Sequence, residues 1–178
     1  MRVQDLLLDA LHAKRENRLE DARRDLRDAA AQLREKNVPS ELADVLRDLG
    51  ELERRLRNAD AARGHYEEAV AILSGVDDPV RLAHTMRHLG DVHYEAGRTT
   101  AAELSYREAL ALYRGAGRTK PLDLANAIRS MAVLKSDHGP AAEARALWEE
   151  AMELYSAANV QPGVAECAAR LRVLALKS

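Results

Sequence analysis

His84 and His88 stand four residues apart, Asp91 follows a turn later and His93 lies beyond it. That spacing puts two imidazoles and a carboxylate on one helical face, a geometry that could hold a metal. No glutamate follows the first histidine as in an HExxH helix, and no cysteines cluster with it, so a polar face lining a groove is expected, with no metal and no cofactor. Cys167 is the only thiol, set in Ala165-Glu166-Cys167-Ala168-Ala169. It excludes an intramolecular disulfide and a cysteine-cluster metal site, and its alanine-rich setting predicts a small buried thiol rather than a nucleophile. No GxSxG, GxxxxGK[ST] or GxGxxG stretch occurs. Gly115-Ala116-Gly117 precedes a helix, but no strand precedes it, so it reads as a loop. The acid pairs Glu67-Glu68 and Glu149-Glu150 fall on outward helix faces, where solvated charge is the ordinary role. No catalytic constellation emerges, and the chain is expected not to be an enzyme.

What positions these residues is a repeat. Pro39, Pro79, Pro121 and Pro162 are spaced 40, 42 and 41 residues apart, each ahead of a segment with helical apolar periodicity. Shifting the chain by this period stacks Leu49-Gly50, Leu89-Gly90 and Met131-Ala132. It also stacks Ala22, Ala62, Ala102 and Ala144; Leu26, Tyr66, Tyr106 and Trp148; and Ala29, Ala69, Ala109 and Ala151. Each copy reads as two helices. The approximate spans are 2–15, 19–36, 40–56, 59–74, 79–96, 99–114, 121–137, 140–158 and 163–177. Small residues in fixed columns let neighbouring helix backbones approach, and the larger Tyr106-type residue fills the gap that remains. The ninth helix would be an unpaired first helix of a fifth copy, capping the array.

Composition excludes several functions. Lys+Arg 27 against Asp+Glu 29 gives a formal charge of −2, and the two signs are balanced in each third of the chain, so no basic domain for nucleic acid exists. The start, Met1 to Asp9, breaks its apolar run after three leucines, so neither a secretory signal nor a membrane span is expected, and the cytoplasm is the expected compartment. Arginine outnumbers lysine 22 to 5, which with abundant alanine suggests a GC-rich bacterial source.

Leu89-Gly90, His93 where a tyrosine is common, Gly97, Ala102, Tyr106 and Ala109 resemble the tetratricopeptide repeat signature. The fourth copy matches with Ala132, Gly139, Ala144, Trp148 and Ala151, and the resemblance covers essentially the whole chain. The period exceeds the ~34 residues usual for that family, placing this chain beside the longer repeats of bacterial regulators and kinesin-light-chain-like adaptors. The first copy departs furthest, with Asp9-Ala10 in the Leu-Gly columns and Asn17 in the glycine column. The resemblance implies an all-α, right-handed solenoid of antiparallel helix pairs in a single domain, 1–178. Its repeats run 1–38, 39–78, 79–120 and 121–161, with a capping helix at 162–178.

In such a stack the first helix of each pair lines the concave surface. Two residues before each small column stand Arg47, Arg87 and Arg129, accompanied by His84, His88, Asp91, Tyr94 and Asn126. A row of guanidinium forks suits carboxylates, so a peptide or partner helix with acidic groups or a free C-terminus is one expected ligand. The alternative is internal pairing: Arg47 with Asp44, Asp48 or Glu51, and Arg87 with Asp91. Asn126, Ser130 and Val133 offer Arg129 no charge, making it the least locally neutralised of the three. Leu7, Leu8 and Leu11 occupy columns that are polar in later copies, a possible self-association surface and thus a possible homo-oligomer. The expected function is a non-catalytic protein-interaction scaffold. The alternatives are a ligand- or peptide-sensing module of a bacterial signalling or transcription regulator, and a structural homo-oligomer.

Overall fold

The computed structural model describes residues 2–176. Among them are nine α-helices and no strand: α1 Val3–Arg15, α2 Leu19–Glu35, α3 Pro39–Arg55, α4 Ala59–Leu73, α5 Pro79–Glu95, α6 Thr99–Gly115, α7 Pro121–His138, α8 Ala141–Ala157 and α9 Gln161–Ala175. Every expected helix is present, with ends displaced by at most two residues. Met1 of the expected first repeat, and residues 177 and 178 of the expected capping helix, lie outside the described residues. Pro39, Pro79 and Pro121 each open a helix, where a missing N–H costs nothing because the first turn's donors have no intrahelical partner.

Contacts divide the chain into two compact units, Met1–Asp78 and Pro79–Ser178. The division falls between the second and third copies, where the sequence periodicity runs on without a break. In the first unit α1 packs on α2, α2 on α3 and α3 on α4. In the second, each helix from α5 to α9 packs on the next, and α5 also packs on α7.

The repeat columns are the core of each unit. The alanines of both columns, Ala22 to Ala144 and Ala29 to Ala151, are 0% exposed in all four copies, and Leu26, Tyr66, Tyr106 and Trp148 at most 2%. The small column explains the aromatic one. A Cβ placed on Gly50 would lie 2.7 Å from the Tyr66 ring, and one on Gly90 would lie 2.5 Å from the Tyr106 ring. Ala10, the first copy's member of this column, is buried like Leu26 sixteen residues on, so the most divergent copy keeps the common register.

Five of the turns between helices use one device. Asn17, Asn37, Arg57, Gly97 and Asn159 all adopt positive φ, between 52° and 71°. The amide after each bonds back to a carbonyl five residues earlier, as in Arg18 N to Ala13 O at 2.8 Å and Asn58 N to Glu53 O at 2.9 Å, the closing bond of a Schellman cap. Asn tolerates this backbone, but Arg57, at φ 61° and with its side chain exposed, has no such excuse. The left-handed conformation costs a residue with a Cβ roughly 1–2 kcal/mol, part of which glycine's freer unfolded chain takes back. Arg57→Gly is therefore expected to raise stability by about 0.5–1 kcal/mol in urea unfolding, and Gly97→Ala, at the same turn of the next copy, to lower it by a similar amount.

Candidate functional site

The polar face of the second unit is built by α5 and α7. Proline starts and the buried columns fix the rotation of both helices, so residues outside those columns turn away from the core and stand beside one another. Asp91 is the hub. Its Oδ1 accepts from Tyr106 Oη at 2.9 Å and from Ser130 Oγ at 3.2 Å, and its Oδ2 accepts from Arg87 Nη1 at 3.2 Å. The hydroxyls come from α6 and α7, so one carboxylate on α5 ties three helices together.

The histidines join the same layer. Arg87 Nη2 lies 2.8 Å from His88 Nε2, which lies 3.2 Å from His84 Nε2. A guanidinium can only donate, so the contact makes His88 Nε2 the acceptor, while His88 Nδ1 lies 3.4 Å from Asp91 Oδ2. Among the described residues no group of three or more His, Cys, Asp or Glu is arranged to hold a metal.

Toward α9 the face ends in a fork-to-fork pair. Arg129 Nε and Nη2 each donate to Glu166 at 2.7 Å, and this bond holds the guanidinium above its ordinary value. Beside it, Tyr155 Oη donates to Asn126 Oδ1 at 2.8 Å, and burial pushes the phenol up to about 12, so it stays a donor. At the other end Tyr94 donates to Asp137, a bond that also pushes its phenol up to about 12. Its ring meets His138 edge-on, with centroids 6.4 Å apart.

Seven of the eight residues expected to line a groove therefore lie in the second unit. His84, Arg87, His88 and Asp91 are joined directly, while Tyr94, Asn126 and Arg129 each have a separate partner. Arg47 belongs to the first unit, where its Nη1 pairs with Asp44 at 3.2 Å. All three arginines thus hold a carboxylate. Arg129 finds no carboxylate on its own helix among Asn126, Ser130 and Val133, and its partner is Glu166, which sits 37 residues away in sequence and reaches it from α9. Glu166 and Ser130's bond to Asp91 are among the parts of the site that sequence reading missed, with the hydroxyl bonds of Tyr106, Tyr155 and Tyr94. For Glu166 and Ser130 the signal was the repeat itself, because residues on successive first helices lie about one period apart.

Cys167 is buried, and burial pushes its thiol up to about 11. At neutral pH it is the protonated thiol, a poor nucleophile. Among the described residues no helix is long and apolar enough to cross a membrane.

Residues 41–115 match the family model described as tetratricopeptide repeat. The match covers less than half of the chain. It spans α3 to α6, with both glycine–tyrosine contacts, Gly50 with Tyr66 and Gly90 with Tyr106. Among solved structures, the chain is similar to BtubC (BKLC) from P. vanneervenii, with 22% identity and a TM-score of 0.80 over 88% of this chain. It is also similar to the APC/C hetero-tetramer Cut9-Hcn1, with 16% identity and a TM-score of 0.74 over 97% of this chain. It spans 64% of the first chain's length and 30% of the second's. Likeness at these identities shows the fold, an all-α solenoid of helix pairs. No curated protein sequence matches the chain. Tetratricopeptide repeats generally mediate protein–protein interactions and typically act as non-catalytic scaffolds.

Proposed function

We propose that this chain is a non-catalytic scaffold, working in the cytoplasm, that holds a peptide or partner helix against the faces of the first helices of its tetratricopeptide pairs. The observation that carries this reading is the cross-helix network on Asp91. Asp91, Arg87 and Ser130, outside the packing columns, are locked to each other and to the hydroxyl of the column residue Tyr106 across α5, α6 and α7, so their polar groups are fixed before any ligand arrives. A preorganised surface loses little side-chain freedom on binding, and that is the condition for affinity from modest contact area. The absence of activation at Cys167, whose thiol burial keeps protonated, is in keeping with binding rather than chemistry.

Arg129 is where a partner's acidic side chain or free C-terminus would enter. Its pair with Glu166 is 40% and 31% exposed, so a partner carboxylate can replace Glu166 on the fork at small cost, because partly exposed ion pairs are weak. Arg87, 13% exposed and engaged by Asp91 and His88, instead holds the layer rigid.

Panning a displayed random-peptide library on the whole chain tests the proposal. Selected peptides are expected to shift amide resonances of α5 and α7, and Arg129→Glu is expected to weaken acidic selectants by about tenfold, since it removes a charge-assisted fork and adds repulsion. Failure to select any peptide, or selectants that perturb neither α1, α3, α5 nor α7, would overturn it.

A further inference from the structure

The first unit carries a different surface. Between α1 and α3 lies a cleft of about 200 Å³, floored by Leu7, Leu11 and Val45 over the buried Leu26 of α2. Leu7 and Leu11 occupy columns filled by Arg47 and Glu51 on α3 and by Arg87 and Asp91 on α5, so apolar area replaces the polar layer here. It is not covered. Leu11 is 41% exposed and its neighbour Leu8 57%.

The wall of the cleft is acidic. Glu41, Asp44 and Asp48 line it from α3, and Glu51 continues the same helical stripe one turn on. Of the charged residues that line the cleft, three are carboxylates and one, Lys14, is a cation, 3.8 Å from Asp48; Arg47, on the same helix as the carboxylates, lies 3.2 Å from Asp44. Burial pushes the Asp48 carboxyl up, opposed by Lys14 and Arg47 and reinforced by Glu51 and Asp44. A cation arriving from outside would therefore be drawn to the wall, and an anion repelled. An apolar floor beside a carboxylate stripe is complementary to a helix with aliphatic residues on one face and basic residues on the next.

We infer that this cleft docks a basic amphipathic helix of a partner protein, with an aliphatic side chain seated between Leu7 and Leu11 and lysines or arginines against Glu41, Asp44 and Asp48. The inference rests on the reading of the chain as a peptide-binding scaffold and adds the partner's chemistry at the α1–α3 end. It differs from the carboxylate expected from the arginine row, and its lining residues belong to the first unit.

The probe is a synthetic helical peptide with leucines along one face and lysines along the other, set against a twin in which every lysine is glutamate. Both are titrated into the full chain and followed by fluorescence anisotropy. The lysine peptide is expected to bind at least about tenfold more tightly than its twin at low salt, with the difference shrinking as ionic strength rises. Glu41→Lys and Leu11→Ala alter exposed side chains, so both variants should fold. Each is expected to weaken the lysine peptide by about fivefold. Equal affinity for the two peptides, or indifference to Glu41→Lys and Leu11→Ala, would overturn the inference. So would self-association in sedimentation that the same two variants abolish, because the occupant would then be a second copy of this chain. Library peptides held on α5 and α7, with no lysine-peptide binding at the cleft, would sink this inference and leave the scaffold reading standing. No binding of any peptide would sink both.

Discussion

The double variant Arg23→Ala, Arg27→Ala is expected to lose about 3–5 kcal/mol of folding stability, the largest effect of any change considered. Glu53 on α3 is 0% exposed and its carboxylate is held from α2 by Arg27 Nη2 at 3.0 Å and Arg23 Nη1 at 3.7 Å, with Asn58 Nδ2 donating at 3.2 Å. Taking away both cations strands a buried negative charge with a single amide donor, and the cost is the desolvation of that charge rather than the worth of two ion pairs. The reverse deletion should be much milder. Arg23 and Arg27 are 27% and 53% exposed and can extend into water when Glu53 is gone. Glu53→Leu, of similar volume, is therefore expected to lose at most about 1–2 kcal/mol. Urea unfolding of the three proteins checks this. Equal losses in the double variant and in Glu53→Leu would show that the pairing, and not the burial of one charge, sets the energetics.

Gly90→Ala comes second, with an expected loss of about 1–2 kcal/mol after the ~1 kcal/mol of helix propensity that alanine returns. The new methyl would lie 2.5 and 2.6 Å from Tyr106 ring atoms. That ring is 2% exposed and cannot swing aside without giving up the bond from its hydroxyl to Asp91. The damage therefore reaches the proposed binding face, because Asp91 loses a donor that fixes it between Arg87 and Ser130. Peptide affinity at α5 and α7 should fall along with stability. Adding Tyr106→Leu is expected to recover the stability but not the binding. The first copy shows why, for Ala10 and Leu26 occupy these two columns and are both buried. In the fourth copy Ala132 accompanies Trp148. There Val133 stands where Asp91 would be, and the indole Nε1 donates instead to Ser136 Oγ at 2.9 Å. A double variant as unstable as Gly90→Ala alone would refute the ring contact as the cause.

The candidate site was half legible. His84, His88 and Asp91 share a helical face by spacing alone, and the Arg87–Asp91 pair follows from i,i+4 geometry. The exposure of Leu8 and Leu11 follows from apolar residues falling in columns that are polar elsewhere. The charge on Arg129 did not follow, because its own helix offers none and the answer lay on α9. Nor did the column three residues beyond the small one. It holds Ala13, Glu53, His93 and Lys135, whose polar members each found a different solution. Glu53 is held by Arg23 and Arg27, His93 Nδ1 accepts from Arg98 Nε at 3.1 Å, and Lys135 reaches Glu103 at 2.8 Å and Glu143 at 3.3 Å.

The helices, their pairing and the buried columns were legible along the chain, because they depend on local periodicity, on proline and glycine at fixed places, and on the volumes of residues one period apart. Only the tertiary structure decided which charges meet. Arg34 pairs with Glu68, and Arg114 with Glu150, in matching positions of the two units, each at 2.8 Å, while Arg129 takes Glu166 and Arg27 takes Glu53. A long arginine side chain sweeps several carboxylates on its own and neighbouring helices. The one it holds is set by how closely those helices approach and which face each turns to the other, quantities fixed by packing across the repeat and not by spacing along it.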